Sequence, residues 1–295
     1  MAANSGQGIR HGLSFDIEDY YQIIHKDFLG RTLEPTPEVE ECTLYLLDML
    51  AEKKARATFF FLGNVARAYP GLVKRAVSDG HEIGVHGDVH HFIHHLNQEE
   101  FREEMRRAIG AIEDAGGHPV VGHRAPAFSI MASNLWALDV LAEAGLIYDS
   151  SIFPFQGRRY GIPDWSLTPN RLDNGLWEVP LSVVDVAGKR RPAMGGGYFR
   201  HFPYAYTRFA ARKLAAAGRD GVTYFHPHEF ARRPAQMPAE ATALPRKGRL
   251  KLAISNRLQS RGRPSMRRKL ERLVDELPTC AIGDLISDGS RAAAQ

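Results

Sequence analysis

Short apolar runs alternate with helical patterns through the first 230 residues of this 295-residue chain, and that alternation restricts the fold more than any other feature. Ala57-Thr58-Phe59-Phe60-Phe61-Leu62 has no polar face, so it reads as a strand covered on both sides. Ile9–Phe15, Glu82–His86, Val120–Arg124 and Val222–Phe225 read as further strands. Between them, apolar residues return at helical spacing. Pro37–Lys53 carries Val39, Leu44, Leu47 and Leu50 behind the start signal Thr36-Pro37. Three further helices are read over Pro70–Asp79, Gln98–Ala115 and Ser133–Ala144. They stop at Gly80, Gly116-Gly117 and Gly145. Such alternation predicts parallel β/α units. About seven or eight units favour an α/β fold closed into a distorted barrel of about seven strands over a flat doubly wound sheet. No glycine-rich phosphate fingerprint follows the first strand, which weighs against a nucleotide-binding fold. Gly195-Gly196-Gly197 lacks that spacing and reads as a loop or strand kink.

After Phe230 the pattern changes. Pro234, Pro238 and Pro245 punctuate the chain, and a basic helical segment follows over 248–277. Two units are expected: a main domain over 1–231 and a small helical extension over 232–295. Fourteen of the 38 Lys/Arg and six of the 34 Asp/Glu lie in residues 231–295, so the extension is basic and the remainder mildly acidic. A basic helix of this kind suits an anionic lipid surface or a lipid-linked phosphate. Aromatics do not interleave with its charges, so no specific nucleic-acid partner is expected. The N-terminal residues lack an apolar core, and no stretch approaches 18 apolar residues; a cytoplasmic protein without signal peptide or spanning helix is the expectation. Cys42 and Cys280 stand far apart in apolar surroundings and read as free thiols.

The chemistry concentrates at strand ends, where β/α folds build their sites. The first strand ends Ser14-Phe15-Asp16-Ile17-Glu18-Asp19. Three carboxylates in four residues repel unless a cation or proton intervenes; an acid-rich helix start is the other reading. A second strand runs into His86-Gly87-Asp88-Val89-His90, two histidines at i and i+4 that can face one side of a helical turn. Asp88 could orient one imidazole. His91, His94 and His95 read as polar surface. Two His and an Asp or Glu complete a three-ligand set with room for water. A third strand ends His123-Arg124-Ala125-Pro126-Ala127-Phe128, where Arg124 can hold a buried carboxylate ionised. The last delivers His226 of Phe225-His226-Pro227-His228-Glu229 into a loop, as suits a general acid.

In this order the motifs resemble the NodB-homology polysaccharide deacetylases, carbohydrate esterase family 4, and within them the branch associated with exopolysaccharide export and exosortase systems. The likeness rests on Ser14–Tyr20, Thr58-Phe59-Phe60, Gly80–His86, Arg124-Ala125-Pro126, Tyr148–Pro154 and Phe225-His226-Pro227, and covers most of residues 10–230. It implies a deacetylase domain of distorted barrel form, followed by a C-terminal extension. It also implies hydrolysis of N-acetyl or O-acetyl groups on a glycan. Carried over, Asp16 matches the catalytic base, His86 and His90 the metal ligands, and His226 the general acid; Arg124 tethers Asp16. Zinc is the first expectation for the metal, with cobalt, nickel, manganese and iron also suited. Pro126, Phe128 and Tyr198 are candidates for contact with a sugar.

The sequence departs from the common pattern in three places. Ile17 stands where the family form has a second aspartate, so the carboxylate ligand is Glu18 or Asp19. His228 occupies a position expected to be aromatic, and the loop Gln156–Tyr160 diverges. The rival readings are an allantoinase-like hydrolase of a small cyclic amide, a non-catalytic glycan-binding module, and a nucleic-acid binder working through residues 246–272.

Overall fold

The computed structural model describes residues 8–30, 33–157 and 160–286. Arg158 and Arg159 of the divergent loop, and the two chain ends, lie outside them.

In chain order, β1 (His11–Ile17) leads through α1 (Tyr20–Leu29) and α2 (Pro37–Lys53) to β2 (Thr58–Phe61). Then come α3 (Gly63–Ala68), α4 (Pro70–Ser78), β3 (Glu82–Val85), α5 (Gln98–Gly116), β4 (Gly122–His123), α6 (Trp136–Glu143) and β5 (Tyr148–Asp149). Short strands β6 (Asn170–Arg171) and β7 (Trp177–Glu178) follow, with a hairpin of β8 (Val183–Val186) and β9 (Lys189–Pro192). The chain continues through α7 (Gly196–His201), α8 (Tyr204–Ala216), β10 (Gly221–Phe225), α9 (Arg246–Ser260), α10 (Arg263–Glu276) and β11 (Thr279–Cys280).

The main sheet runs β10-β1-β2-β3-β4-β5-β7-β6, with β11 paired to the start of β1. Every pairing is parallel except β6–β7. The result is the expected distorted barrel, curled but open between β10 and β6, with eight strands along its path where about seven were predicted. All seven residues of β1 are buried, as a central parallel strand requires. Phe15 packs against Phe59 and Phe225 at ring-centroid distances of 5.2 and 6.0 Å, tying three adjacent strands together. Each such buried ring contributes about 1.5–3 kcal/mol.

Register is what makes a site. Ile17, Phe61, Val85, His123, Asp149 and Glu178 lie in one row across the sheet. The residues that follow them, Glu18, His86, Arg124 and Ser150, therefore emerge along one rim. Phe15 pairs with Phe225, which places His226 next to Asp16 on the other side.

The segment past residue 231 packs back onto the main body. Ile282 and Gly283 donate backbone N–H bonds to Thr58 Oγ1 (2.8 Å) and Glu82 Oε1 (3.0 Å). The single helix expected over 248–277 is two helices, α9 and α10. Gly262 at φ +85° and Pro264 break it, because glycine enters the left-handed region freely and proline cannot continue a helix interior. Both cysteines are free, as expected, and burial pushes each thiol up to about 12.

Candidate active site and metal centre

The acidic cluster splits between its two readings. Glu18 turns inward, where it meets His86 Nε2 at 3.1 Å and His90 Nε2 at 2.9 Å through the same oxygen, Oε2. Asp19 turns away and caps α1. It accepts from Tyr21 N (2.6 Å) and Gln22 N (3.4 Å), and from both the backbone and hydroxyl of Thr36 (2.5 and 2.6 Å). Replacing Asp19 with Ala is expected to destabilise the protein by about 1 kcal/mol through the lost cap and to leave metal binding intact. Thermal unfolding and metal titration of the variant check both halves.

His86 and His90 do not share a helical turn, as the i, i+4 spacing had suggested. His86 sits just past the end of β3, and the chain reverses through Gly87 at φ +89° and His90 at φ +58°. A side chain at Gly87 would press on Glu104 and Pro126, at 3.2 and 3.3 Å. The short strand uses up the first histidine and a tight loop presents the second. Asp88 does not orient an imidazole either. Its carboxylate faces Arg67 (2.6 Å) and Arg107 (3.5 Å), and its N–H reaches Glu104. Glu104 also accepts from His91, so a residue of α5 fixes the loop from behind. His94 and His95 are exposed, as read.

One ligand atom each from Glu18, His86 and His90 lie within 4.8 Å of one another, and all three residues are buried. His86 Nδ1 donates to the carbonyl of Arg124 at 2.8 Å, since a carbonyl can only accept. Its Nε2 is then a bare lone pair aimed at a carboxylate oxygen. Two acceptors at 3.1 Å need a cation or proton between them. Burial alone would push the Glu18 carboxyl up, but His90, His226 and His86 outweigh it and hold it well below the usual range. The donor set therefore fits a divalent cation.

Arg124 is fully buried and uses its fork completely. Nη1 donates to Asp16 Oδ1 (2.9 Å) and Ser14 Oγ (2.6 Å), Nε to the Ser150 carbonyl (2.9 Å) and Nη2 to Ser150 Oγ (3.0 Å). The guanidinium also lies 4.4 Å over the Phe60 ring. Asp16 Oδ2 remains on the open side, 3.9 Å from His226 Nε2, which is also 3.6 Å from Glu18 Oε1. Burial works against a charged His226. The carboxylates of Glu18, Glu229 and Asp16 overcome it and raise the imidazole to about 9.

Beneath the rim lies a network that the sequence reading missed. His123 Nδ1 meets Asp149 Oδ1 at 2.6 Å, and Ser151 donates its hydroxyl to the same oxygen at 2.7 Å. Ser151 Oγ in turn receives the Ala125 N–H at 2.8 Å. Burial and the Asp149 charge push Glu178 well above the carboxylate range, so it stays protonated. These residues fix the strand ends that carry Arg124. Glu229 was missed too. Its Oε2 accepts from the backbone of His226 (3.1 Å) and meets His226 Nδ1 (3.2 Å), while Arg200 approaches Oε1 at 3.4 Å. The three-residue spacing after a His-Pro turn was the available signal, because it returns a carboxylate to the turn's start.

Two family models each match part of the chain. Residues 25–147 match "Polysaccharide deacetylase", and residues 150–286 match "Domain of unknown function (DUF3473)". Residues 25–147 thus carry a polysaccharide deacetylase domain of the NodB-homology, carbohydrate esterase family 4 type. The DUF3473 match fits the exopolysaccharide-associated branch of that family.

The chain is 30% identical over 148 residues to a peptidoglycan-N-acetylglucosamine deacetylase of Bacillus cereus, covering 50% of this chain and 51% of that protein. It is 36% identical over 115 residues to a chitooligosaccharide deacetylase of Sinorhizobium fredii, covering 38% and 47%. It thus spans about half the length of the relatives it matches. A solved structure described as a "putative polysaccharide deacetylase" from Mycobacterium smegmatis superposes with a TM-score of 0.64 at 21% identity. That superposition covers 99% of this chain and 93% of the other and supports the shared fold.

The remaining candidates fall around the rim of this NodB-type site. Pro126 is buried against Gly87. Phe128 is buried among Phe153, Tyr160 and Tyr224, with centroids at 5.1, 5.5 and 4.8 Å, so ring packing claims most of its surface. Tyr198, on α7, is half-buried with its ring 6.1 Å from the exposed Phe202. His228 stacks on His226 (5.2 Å) and packs at a tilt against Tyr20 (5.3 Å). Burial and the neighbouring cations hold it well below the usual histidine range, hence neutral, so it fills an aromatic's place as a flat uncharged ring.

Proposed function

We propose that this chain is a metal-dependent hydrolase that removes acetyl groups from N-acetylated sugar residues of a polysaccharide or its precursor. The observation that carries the reading is the convergence of Glu18, His86 and His90 on one point, with Asp16 and His226 flanking it. The named activities of the B. cereus and S. fredii relatives point to acetylated amino sugars as the substrate class. The division into a deacetylase unit over 1–231 and a basic extension over 232–295 belongs to the same reading.

Glu18, His86 and His90 would hold the cation, with Asp19 excluded by its capping bonds. Two imidazole nitrogens and a carboxylate suit zinc first. When bound, such an ion supplies Lewis acidity toward a carbonyl oxygen and lowers the pKa of water. Asp16 acts as base through Oδ2, because Arg124 occupies Oδ1 and keeps the carboxylate aimed. It takes the proton of the attacking water as the C–O bond forms at the acetyl carbon. His226 enters the step protonated and gives its Nε2 proton to the nitrogen as the C–N bond breaks, leaving acetate and the free amine. Glu229 holds His226 Nδ1 and so keeps Nε2 directed at the reacting centre.

Glu229→Gln removes the charge from that brace. Its expected cost is about 10–100-fold in kcat with little change in KM, read by steady-state acetate release. A loss confined to KM would remove Glu229 from this role. The substrate class is tested by offering N-acetylated chito-oligosaccharides alongside a small cyclic amide such as allantoin. Acetate release from the first alone supports the proposal; ring opening of the second alone overturns it in favour of a cyclic-amide hydrolase.

A further inference from the structure

α9 presents an outer face that nothing among the described residues covers. Leu250, Ile254 and Leu258 recur every four residues along it and are 62%, 51% and 56% exposed. Met237, 43% exposed, extends the stripe across a groove of about 1020 Å³ that Pro234, Ala235 and Ala253 also line. Isolated exposed leucines are ordinary; three in register with a methionine beside them form a patch.

The charges around the patch are of one sign. Arg246, Lys247, Arg249, Lys251, Arg257 and Arg261 are all exposed. Residues 241–270 hold ten Lys/Arg and no Asp or Glu. The inner face is what fastens the helix. Leu252 is fully buried, Asn256 accepts from Tyr20 Oη at 2.6 Å, and Gln259 accepts from Arg200 at 2.7 Å. These anchors are specific and polar, so the outer stripe is not a misplaced core face.

We propose that the outer face of α9 docks this protein on an anionic lipid bilayer. A helix with an apolar stripe bordered by Lys and Arg lies in the headgroup layer, its apolar side chains in the acyl boundary and its cations against lipid phosphates. A protein partner or nucleic acid explains less. An acidic protein surface needs no stripe of three aliphatic side chains, and a nucleic-acid backbone would engage the cations but leave that stripe in water, with no aromatic beside it for a base to stack on. No helix among the described residues is long and apolar enough to cross a membrane, so contact through this face is peripheral.

The anchors also fix where the candidate site lies relative to that surface. Asn256 holds Tyr20, whose ring packs at a tilt against His228, itself stacked on His226. Gln259 holds Arg200, which approaches Glu229. The inner face of α9 is therefore two side chains from the groups that flank the reacting centre, with a docked bilayer on the helix's other side. Where the deacetylase reading holds, this favours glycans carried on lipid at the membrane face. The docking itself does not depend on that reading.

The test is vesicle co-sedimentation of the full chain, without substrate or metal. Vesicles are phosphatidylcholine alone and phosphatidylcholine with about a third phosphatidylglycerol. Binding to the anionic vesicles only is expected, weakened by salt because the cations contribute through screened charge. Leu250→Asp/Ile254→Asp/Leu258→Asp is expected to weaken partitioning at least ~30-fold while leaving the melting temperature in place, since all three side chains are exposed. Arg246→Gln/Lys247→Gln/Arg249→Gln/Lys251→Gln is expected to weaken binding as well and to reduce the salt dependence, with Arg257 and Arg261 left in place. No binding to anionic vesicles overturns the proposal. So does salt-sensitive binding of duplex DNA that exceeds vesicle binding and survives the Asp substitutions. A solution dimer that the Asp substitutions dissociate, with no vesicle binding, overturns it in favour of self-association.

Discussion

Arg124→Ala is expected to lower folding stability by about 3–5 kcal/mol, because it strands the buried Asp16 carboxylate without its partner. The same change empties the donors that Ser14 and Ser150 accept from, so four hydrogen bonds are lost together. In a chain of this size the loss corresponds to a fall in Tm on the order of 10 °C. Activity falls as well, because Asp16 loses the partner that orients it. Arg124→Lys separates the two effects. It keeps the positive charge but cannot form the planar fork, so part of the stability returns while the contacts to Ser150 do not. Thermal unfolding beside acetate release reads both. An Arg124→Ala protein with unchanged Tm would mean that water, not Arg124, compensates Asp16.

His86→Ala is expected to have the largest effect on metal binding. It removes one of two nitrogens in the cluster and the bond that fixes the ring through the Arg124 carbonyl. Changes to groups behind a ligand already cost about 10–100-fold in metal affinity, and loss of the ligand itself should exceed that. Metal content after dialysis, measured by elemental analysis, is expected to fall from about one ion per chain to near zero. Glu18→Gln tests the same centre differently. It keeps the size of the side chain, removes the charge between two imidazoles, and should weaken binding while preserving the fold.

Much of this was legible in the sequence, for reasons that particular residues make clear. Buried parallel strands are continuous apolar runs, so β1, β2 and β10 announced themselves, and polar residues at their ends marked the rim. Asp16, Arg124, His86, His90 and His226 gather on that rim because parallel register aligns strand ends. The choice between Glu18 and Asp19 was not legible. Adjacent residues leave a strand end in different directions, and only the distant Thr36 shows which one caps the helix. The i, i+4 histidine pair misled because spacing is blind to the reversal at Gly87 and His90. β5 and β7 are two residues each, too short for any periodicity. The β8–β9 hairpin turns through Ala187-Gly188, both at positive φ, a weaker signal than Asn-Gly. Glu229 and the His123–Asp149 pair escaped because they act through other side chains.

The measurement that bears most directly on the central claim is acetate release from N-acetylated chito-oligosaccharides. It compares the chain as purified, after chelation, after restoration with zinc, and as His86→Ala. The account predicts release that chelation abolishes, zinc restores, and the variant lacks under every condition. Release that continues at full rate after chelation, or in His86→Ala, would contradict a metal centre at Glu18, His86 and His90.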